Sequence, residues 1–357
     1  MFKPTRLKIG HSLTLIQDVK DLVTIAFSNP REVIIENPYT AFAGSFGTIA
    51  SLWFAAYNPS GVWIIFIIAL IIFIPGLFIE ANKYKIYTQD ALPIPIVINI
   101  ANQANSLDAL NSLFTVIEKD RRYRKYQEKI KKYLGILNED LVFKYDGDIF
   151  DQKRLKLFLK IVRHDLEQVK RRTPQNSILY LAYIGPISVS FLIGSMLSRE
   201  GMILFQRDQS NNSYQAVMEV RDRTLKENIQ GFEKLEVNYL CSNPPQPKVT
   251  IAIDTASHKI KLNDPSIQGY GDLITLDNQT SNTIDYQEDW TQYCREIFQV
   301  LNDAQQDYQE IRLVYSMPVT LAIAVGMTTQ NFWNIVLTNY DGKTGTYQDL
   351  IRMNDMD

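Results

Sequence analysis

Gly185–Gly194 (GPISVSFLIG) and Ser316–Gly326 (SMPVTLAIAVG) decide how this chain is read, because the two stretches match position by position. In each, a Pro precedes a Gly by eight residues, Pro186 before Gly194 and Pro318 before Gly326. An aliphatic residue stands nine beyond each Gly, at Ile203 and Ile335. A Tyr follows in each, Tyr214 and Tyr347, at spacings that differ by one. Matched Pro, Gly and Tyr together mark an internal duplication with an offset of 132 residues.

Outward from these stretches the sequence alternates strands and helices. In the first copy, Pro95–Ile100, Leu141–Tyr145, Ile178–Tyr183 and Met202–Phe205 are predicted strands. Helices are predicted from Leu107 to about Leu134, over Asp151–Arg172 and over Ile187–Leu197. In the second copy the strands are Val249–Ile253, Leu273–Leu276, Ile311–Tyr315 and Ile335–Leu337, with helices over about Glu288–Asp307 and from Val319. Such alternation predicts parallel sheets covered by helices. Pro186 and Pro318 each open a helix that leaves a strand end, where a missing N–H costs nothing. Ser188 and Thr320 then fall in the first helical turn. A helix N-terminus at the carboxyl end of a parallel strand is a natural phosphate site, and equally an ordinary capped helix.

The other informative stretch is N-terminal. From Asn37 to Ile79, 43 residues carry no Asp, Glu, Lys, Arg or His. Within it, Val62–Ile79 (VWIIFIIALIIFIPGLFI) is long enough for one bilayer crossing. Asn58-Pro59-Ser60-Gly61 is a turn by its chemistry, so residues 37–80 are expected to form a two-helix transmembrane hairpin. Lys3, Arg6, Lys8, Lys20 and Arg31 before it and Lys83 and Lys85 after it place both termini in the cytoplasm. Ala43, Gly47 and Ser51 form a small-residue stripe suited either to association in lipid or to packing within the hairpin. Residues 1–36 form a cytosolic segment with an amphipathic helix over Ser12–Phe27.

Composition narrows the function. Apolar residues make up 46% and charged residues 21%, which excludes a disordered chain. A net charge of −2 argues against a general nucleic-acid coat. Two cysteines, Cys241 and Cys294, exclude a disulfide scaffold and a Cys-based zinc cluster, and three histidines argue against a histidine-dominated metal site. Asp146-Gly147-Asp148 with Asp151 lacks the Glu that completes an EF-hand, so a turn and an N-cap at Asp148 or Asp151 are expected. Gly269-Tyr270-Gly271 is a dinucleotide fingerprint without its third Gly, and there is no Walker A sequence. Lys119–Lys132, with eight basic residues and two acidic, suits either anionic headgroups or a solvated helix face. No catalytic set, metal site or cofactor is expected.

The order strand, Pro, helix with Ser or Thr, Gly, strand, Tyr resembles SAVED domains, fusions of two CARF-like Rossmann subdomains. The stretch MPVTLAIAVGMTTQNFWNIVLTNYDGKTGTYQDLI (Met317–Ile351) carries the resemblance most clearly, and it covers about residues 90–355. The fold expected is thus α/β, a transmembrane hairpin followed by two tandem CARF-like halves at 90–220 and 245–357. The halves differ at one place, Arg207-Asp208 in the first against Asn339-Tyr340-Asp341 in the second. The resemblance implies a sensor. Its ligand would be a cyclic di- or trinucleotide made by a partner nucleotidyltransferase during phage infection, as in CBASS antiphage systems. Binding would drive homo-oligomerisation, cluster the hairpins and disrupt the bacterial inner membrane. The alternatives are an anchored Rossmann-type enzyme acting on a nucleotide or nucleotide sugar, or a membrane scaffold. Nothing in the sequence supports a ring nuclease.

Candidate ligand-binding residues lie at strand ends. In the first half these are Asn102, Gln103, Asn105, Ser106, Gly185, Pro186 and Ser188. In the second they are Asp254, Thr255, Ser257, His258, Ser316, Met317 and Thr320. Backbone amides there suit phosphates, and amide side chains suit base edges. Tyr214 and Tyr347 suit base stacking.

Overall fold

A computed structural model describes residues 91–355, apart from 102–104, 174–175, 209, 212, 221–223, 281–282 and 331, together with 44–45, 47–48, 52, 63–64, 67–72, 74–75 and 79. The chain divides into two compact units, Met1–Leu92 with Glu128–Gly135, and Pro93–Gln127 with Ile136–Asp357. In the first, the described positions between 44 and 79 are helical. A Cβ on Gly47 would stand 3.4 Å from that of Ala69, so Gly47 lies beside Ala69. Among the described residues no helix is long and apolar enough to cross a membrane. Most of the predicted hairpin, and all of the predicted amphipathic helix, lie outside those residues.

The second unit holds both copies of the duplication, each on its own sheet. The first sheet comprises β1 (Leu92–Asn99), β2 (Val142–Lys144), β3 (Ser177–Ile184), β4 (Met202–Asp208) and β5 (Ser213–Val220), in the order β2-β1-β3-β4-β5. The second comprises β6 (Leu235–Leu240), β7 (Lys248–Asp254), β8 (Asp272–Asn278), β9 (Glu310–Ser316), β10 (Ile335–Asp341) and β11 (Thr346–Arg352). Its order, β11-β10-β9-β7-β8-β6, repeats the first with one strand added. Helices α1 (Ser106–Glu118), α2 (Gln152–Arg171) and α3 (Ile187–Met196) belong to the first half, α4 (Trp290–Asp307) and α5 (Val319–Thr328) to the second. The interior strands pair in parallel, as alternation requires.

Three strands lie outside the sequence reading, β5, β6 and β11, and all three run antiparallel at sheet edges. Edge strands keep one face in water, so SYQAVMEV and LEVNYL lack the continuous apolar run of a buried parallel strand. The offset also changes along the chain. Tyr180 pairs with Ile203, whereas its equivalent Arg312 pairs with Val336. Val336, rather than Ile335, is thus the counterpart of Ile203, and from β10 onward the offset is 133. Bulges at Leu204/Phe205 and Leu337/Thr338 fall at this second spacing, and so do Tyr214 and Tyr347.

Local chemistry accounts for the helix ends. The helix expected to reach Leu134 stops at Glu118, because Asp120 accepts from the Arg122 N–H (2.9 Å) and pairs with its guanidinium, which starts a separate turn. Asp151 caps α2 by accepting from Arg154 N, and Asp148 accepts from Phe150 N, the turn and cap expected of that acidic run.

Candidate functional site at the seam of the two halves

α3 and α5 are apolar on every face, so each must be covered all round. They cover each other. A Cβ added to Gly194 would run into the carbonyl of Ile323, and one on Gly326 into that of Phe191, both inside the 3.0 Å that real Cβ atoms keep. Because Phe191 and Ile323 are themselves equivalents, the two contacts are one contact made twice about a pseudo-dyad. The Phe191 ring also packs on Tyr315 at 5.3 Å between centroids.

The same reciprocity holds where the strands end. Ser188, at the start of α3, donates to Oδ1 of Asn339 at the end of β10 (3.2 Å). Thr320, at the start of α5, donates to Oε1 of Gln206 at the end of β4 (2.7 Å). Gln206 and Asn339 are equivalents at the 133 spacing, and each half thus holds the other's amide with a hydroxyl. Tyr183 and Tyr315, equivalents at the ends of β3 and β9, donate to the carbonyls of Pro186 and Thr338. Burial pushes both phenols well above the usual tyrosine range; beside Tyr315 the Ser188 hydroxyl acts in the opposite sense. The two phenols thus stand in the seam as neutral hydrogen-bonding groups.

The outer elements strap the halves together. Gln152 of α2 donates to the Leu350 carbonyl (2.7 Å), while Arg295 of α4 holds the segment that connects the halves, donating to the Thr224 carbonyl (2.9 Å) and to Glu227. Tyr286 donates to the carbonyl of Arg207 (3.0 Å).

Ser188 and Thr320, at 0% and 1% exposure, are closed into this seam and bonded across it. A second group gathers at the end of β7. The Thr255 N–H donates to the Ser316 carbonyl (2.8 Å), the Ser316 hydroxyl to the His258 carbonyl, and Asp254 accepts from Lys259 and from Ile260 N. Thr255 is buried, and its hydroxyl has no hydrogen-bond partner among the described residues. Ser257 donates its N–H to Thr283, and Met317 is buried. In the first half Ser106 is buried and accepts from Asn99, Asn105 caps α1, Gly185 closes on Ile100, and the Pro186 carbonyl is held by Tyr183. Asn102 and Gln103 lie outside the described residues. Tyr214 and Tyr347 stand on β5 and β11. Tyr347 is packed against Ile267 and Val314, and burial pushes its phenol up to about 12. Beside it at 5.2 Å stands Tyr340, half exposed, opposite in register as Arg207 is to Tyr214.

Sequence reasoning missed Gln206, Asn339, Tyr183 and Tyr315. The duplication could have found the tyrosines, which are 132 apart, but the amides differ in type and stand at the other spacing. Among the described residues, no group of three His, Cys, Asp or Glu could hold a metal ion. A cavity of about 440 Å³ opens at the other ends of α3 and α5, among Arg163, Lys170, Arg199, Lys226 and Phe332.

With this geometry, residues 162–353 match the family model of SAVED, the SMODS-associated and fused to various effectors sensor domain. No curated protein matches the chain. Solved structures similar to it include a Cap4 SAVED/CARF-domain containing receptor of Acinetobacter baumannii. With the cyclic trinucleotide 2′3′3′-cAAA, that structure is 12% identical at a TM-score of 0.49, covering 80% of this chain and 56% of that one. With 3′3′3′-cAAA the values are 13%, 0.48, 80% and 56%. A Cap4 receptor of Moraxella osloensis is 14% identical at 0.40, over 78% of this chain and 54% of that one. The chain thus spans a little over half the length of these receptors.

Proposed function

The chain belongs to the SAVED family of sensor domains, and on that premise we propose that it is a receptor for a cyclic oligonucleotide, held at the seam where the carboxyl ends of both parallel sheets converge. The reciprocal bonds of Ser188 to Asn339 and Thr320 to Gln206 are the observation that carries this reading. They bring two nearly equivalent sets of strand ends together, one from each half. In open α/β sheets ligands bind outside the carboxyl ends of the strands. The hydroxyls and amides of the seam offer hydrogen bonds to bases, while Arg207 on one side and Tyr340 on the other offer a cation and a stacking face.

The output we propose is membrane damage. The 43-residue charge-free stretch supplies a two-pass anchor in the bacterial inner membrane, with both termini cytoplasmic. Ligand made by a partner nucleotidyltransferase favours the assembled state over the dispersed one, and tethered hairpins then gather in antiphage defence. The full chain reconstituted into phosphatidylethanolamine–phosphatidylglycerol vesicles is expected to release an entrapped dye only when a bound cyclic oligonucleotide is present. Binding without release would retain the receptor and remove the membrane output.

A further inference from the structure

Resting on that reading, we propose that Gln206 and Asn339 are the specificity-determining residues of the site, each presenting an amide N–H₂ to a hydrogen-bond acceptor on a base of the ring. A carboxamide can both donate and accept, so by itself it tells bases apart poorly. Here the choice is made in advance. Thr320 Oγ1, which also lies 3.2 Å from the Phe205 carbonyl, makes its shorter bond to Gln206 Oε1 (2.7 Å), and Ser188 Oγ donates to Asn339 Oδ1 (3.2 Å), so both amide oxygens are occupied and turned into the seam. Gln206 Nε2 makes no hydrogen bond to a described residue. One Asn339 Nδ2 hydrogen goes to the Tyr340 carbonyl (3.2 Å), which leaves the other. Both residues are half-buried at the tips of β4 and β10, within reach of solvent, whereas the hydroxyls that hold them are buried.

The consequence is a site that supplies donors from both sides of its pseudo-dyad. Such a site favours bases with a free ring nitrogen or carbonyl oxygen at the contacted edge, and it disfavours a donor placed there. Ser188 and Thr320 act through the amides as positioning residues. The two arms are unequal in reach, because Gln206 has one more methylene than Asn339, and so they suit a ring whose bases meet the two halves differently.

The test is a calorimetric titration of the full chain in detergent with 3′3′3′-cAAA, 2′3′3′-cAAA and the corresponding cyclic GMP and UMP rings. Wild type is compared with Gln206→Glu, Asn339→Asp and the uncharged Gln206→Met, and melting curves confirm that each variant is folded. The expected result is about a tenfold to hundredfold loss of affinity for the preferred ring and a changed order of preference among bases. Two outcomes would overturn the assignment while leaving the receptor intact: unchanged binding in all variants, or an equal loss for every ring. Wild type that binds no ring would overturn the receptor reading and this assignment with it. Should the charged variants fail to fold, Gln206→Met alone decides by the same order of preference.

Discussion

Replacing Gly326 with alanine lowers the melting temperature of the chain, although alanine is the better helix former. In an exposed helix that exchange gains about 1 kcal/mol. At the seam the new methyl would meet the Phe191 carbonyl, a backbone atom that no rotamer change can move aside. Overpacking of this kind costs ~1–3 kcal/mol, and with a rigid obstacle the upper end applies. The net loss is about 2 kcal/mol, or roughly 4–8 °C for a unit of this size. Gly194→Ala meets the Ile323 carbonyl and should behave alike. Gly231→Ala, where nothing lies within 4 Å, is the control and should leave the melting temperature within a degree or so. A rise in melting temperature for either seam variant would mean that α3 and α5 do not pack closely in solution.

Glu296→Ala is the second substitution with a large expected effect. Glu296 is fully buried in α4, and its carboxylate receives the backbone N–H groups of Glu233, Lys234 and Leu235 at 2.8–3.1 Å, with Gln292 adding a fourth donor. Three consecutive amides on one carboxylate fix the entry of β6 onto the second sheet. Alanine leaves the buried Leu235 N–H and the half-buried Lys234 N–H without an acceptor, at a cost of ~3 kcal/mol. Glu296→Gln keeps one oxygen and should lose about half as much. A drop in the denaturant midpoint with faster hydrogen exchange in β6 is the expected signature. An unchanged midpoint would contradict the clamp.

The duplication was legible in the sequence because Pro and Gly are fixed by backbone geometry rather than by composition. Pro186 and Pro318 both sit at N-cap positions with extended backbone, and Gly194 and Gly326 mark a contact that tolerates no side chain. What the glycines touch was not legible. A small residue in an apolar helix looks the same whether it faces a sheet, a lipid or another helix. Ser188 and Thr320 show the same limit from the other side. Chain position puts them at strand ends, but their bonds run to residues 151 and 114 positions away, which only tertiary pairing decides. Gln206 and Asn339 were hidden further by the added residue that moves the spacing from 132 to 133. The antiparallel edge strands escaped notice because they are half solvated, so their pattern is diluted.

Hydrogen exchange read by mass spectrometry, with and without each cyclic di- and trinucleotide, tests the central claim most directly. A binding ring is predicted to protect the four strand ends together, around residues 183–190, 205–208, 315–322 and 338–341. Protection confined to the cavity around Arg199 and Phe332, or none with any ring, would contradict a receptor that reads its ligand at the seam.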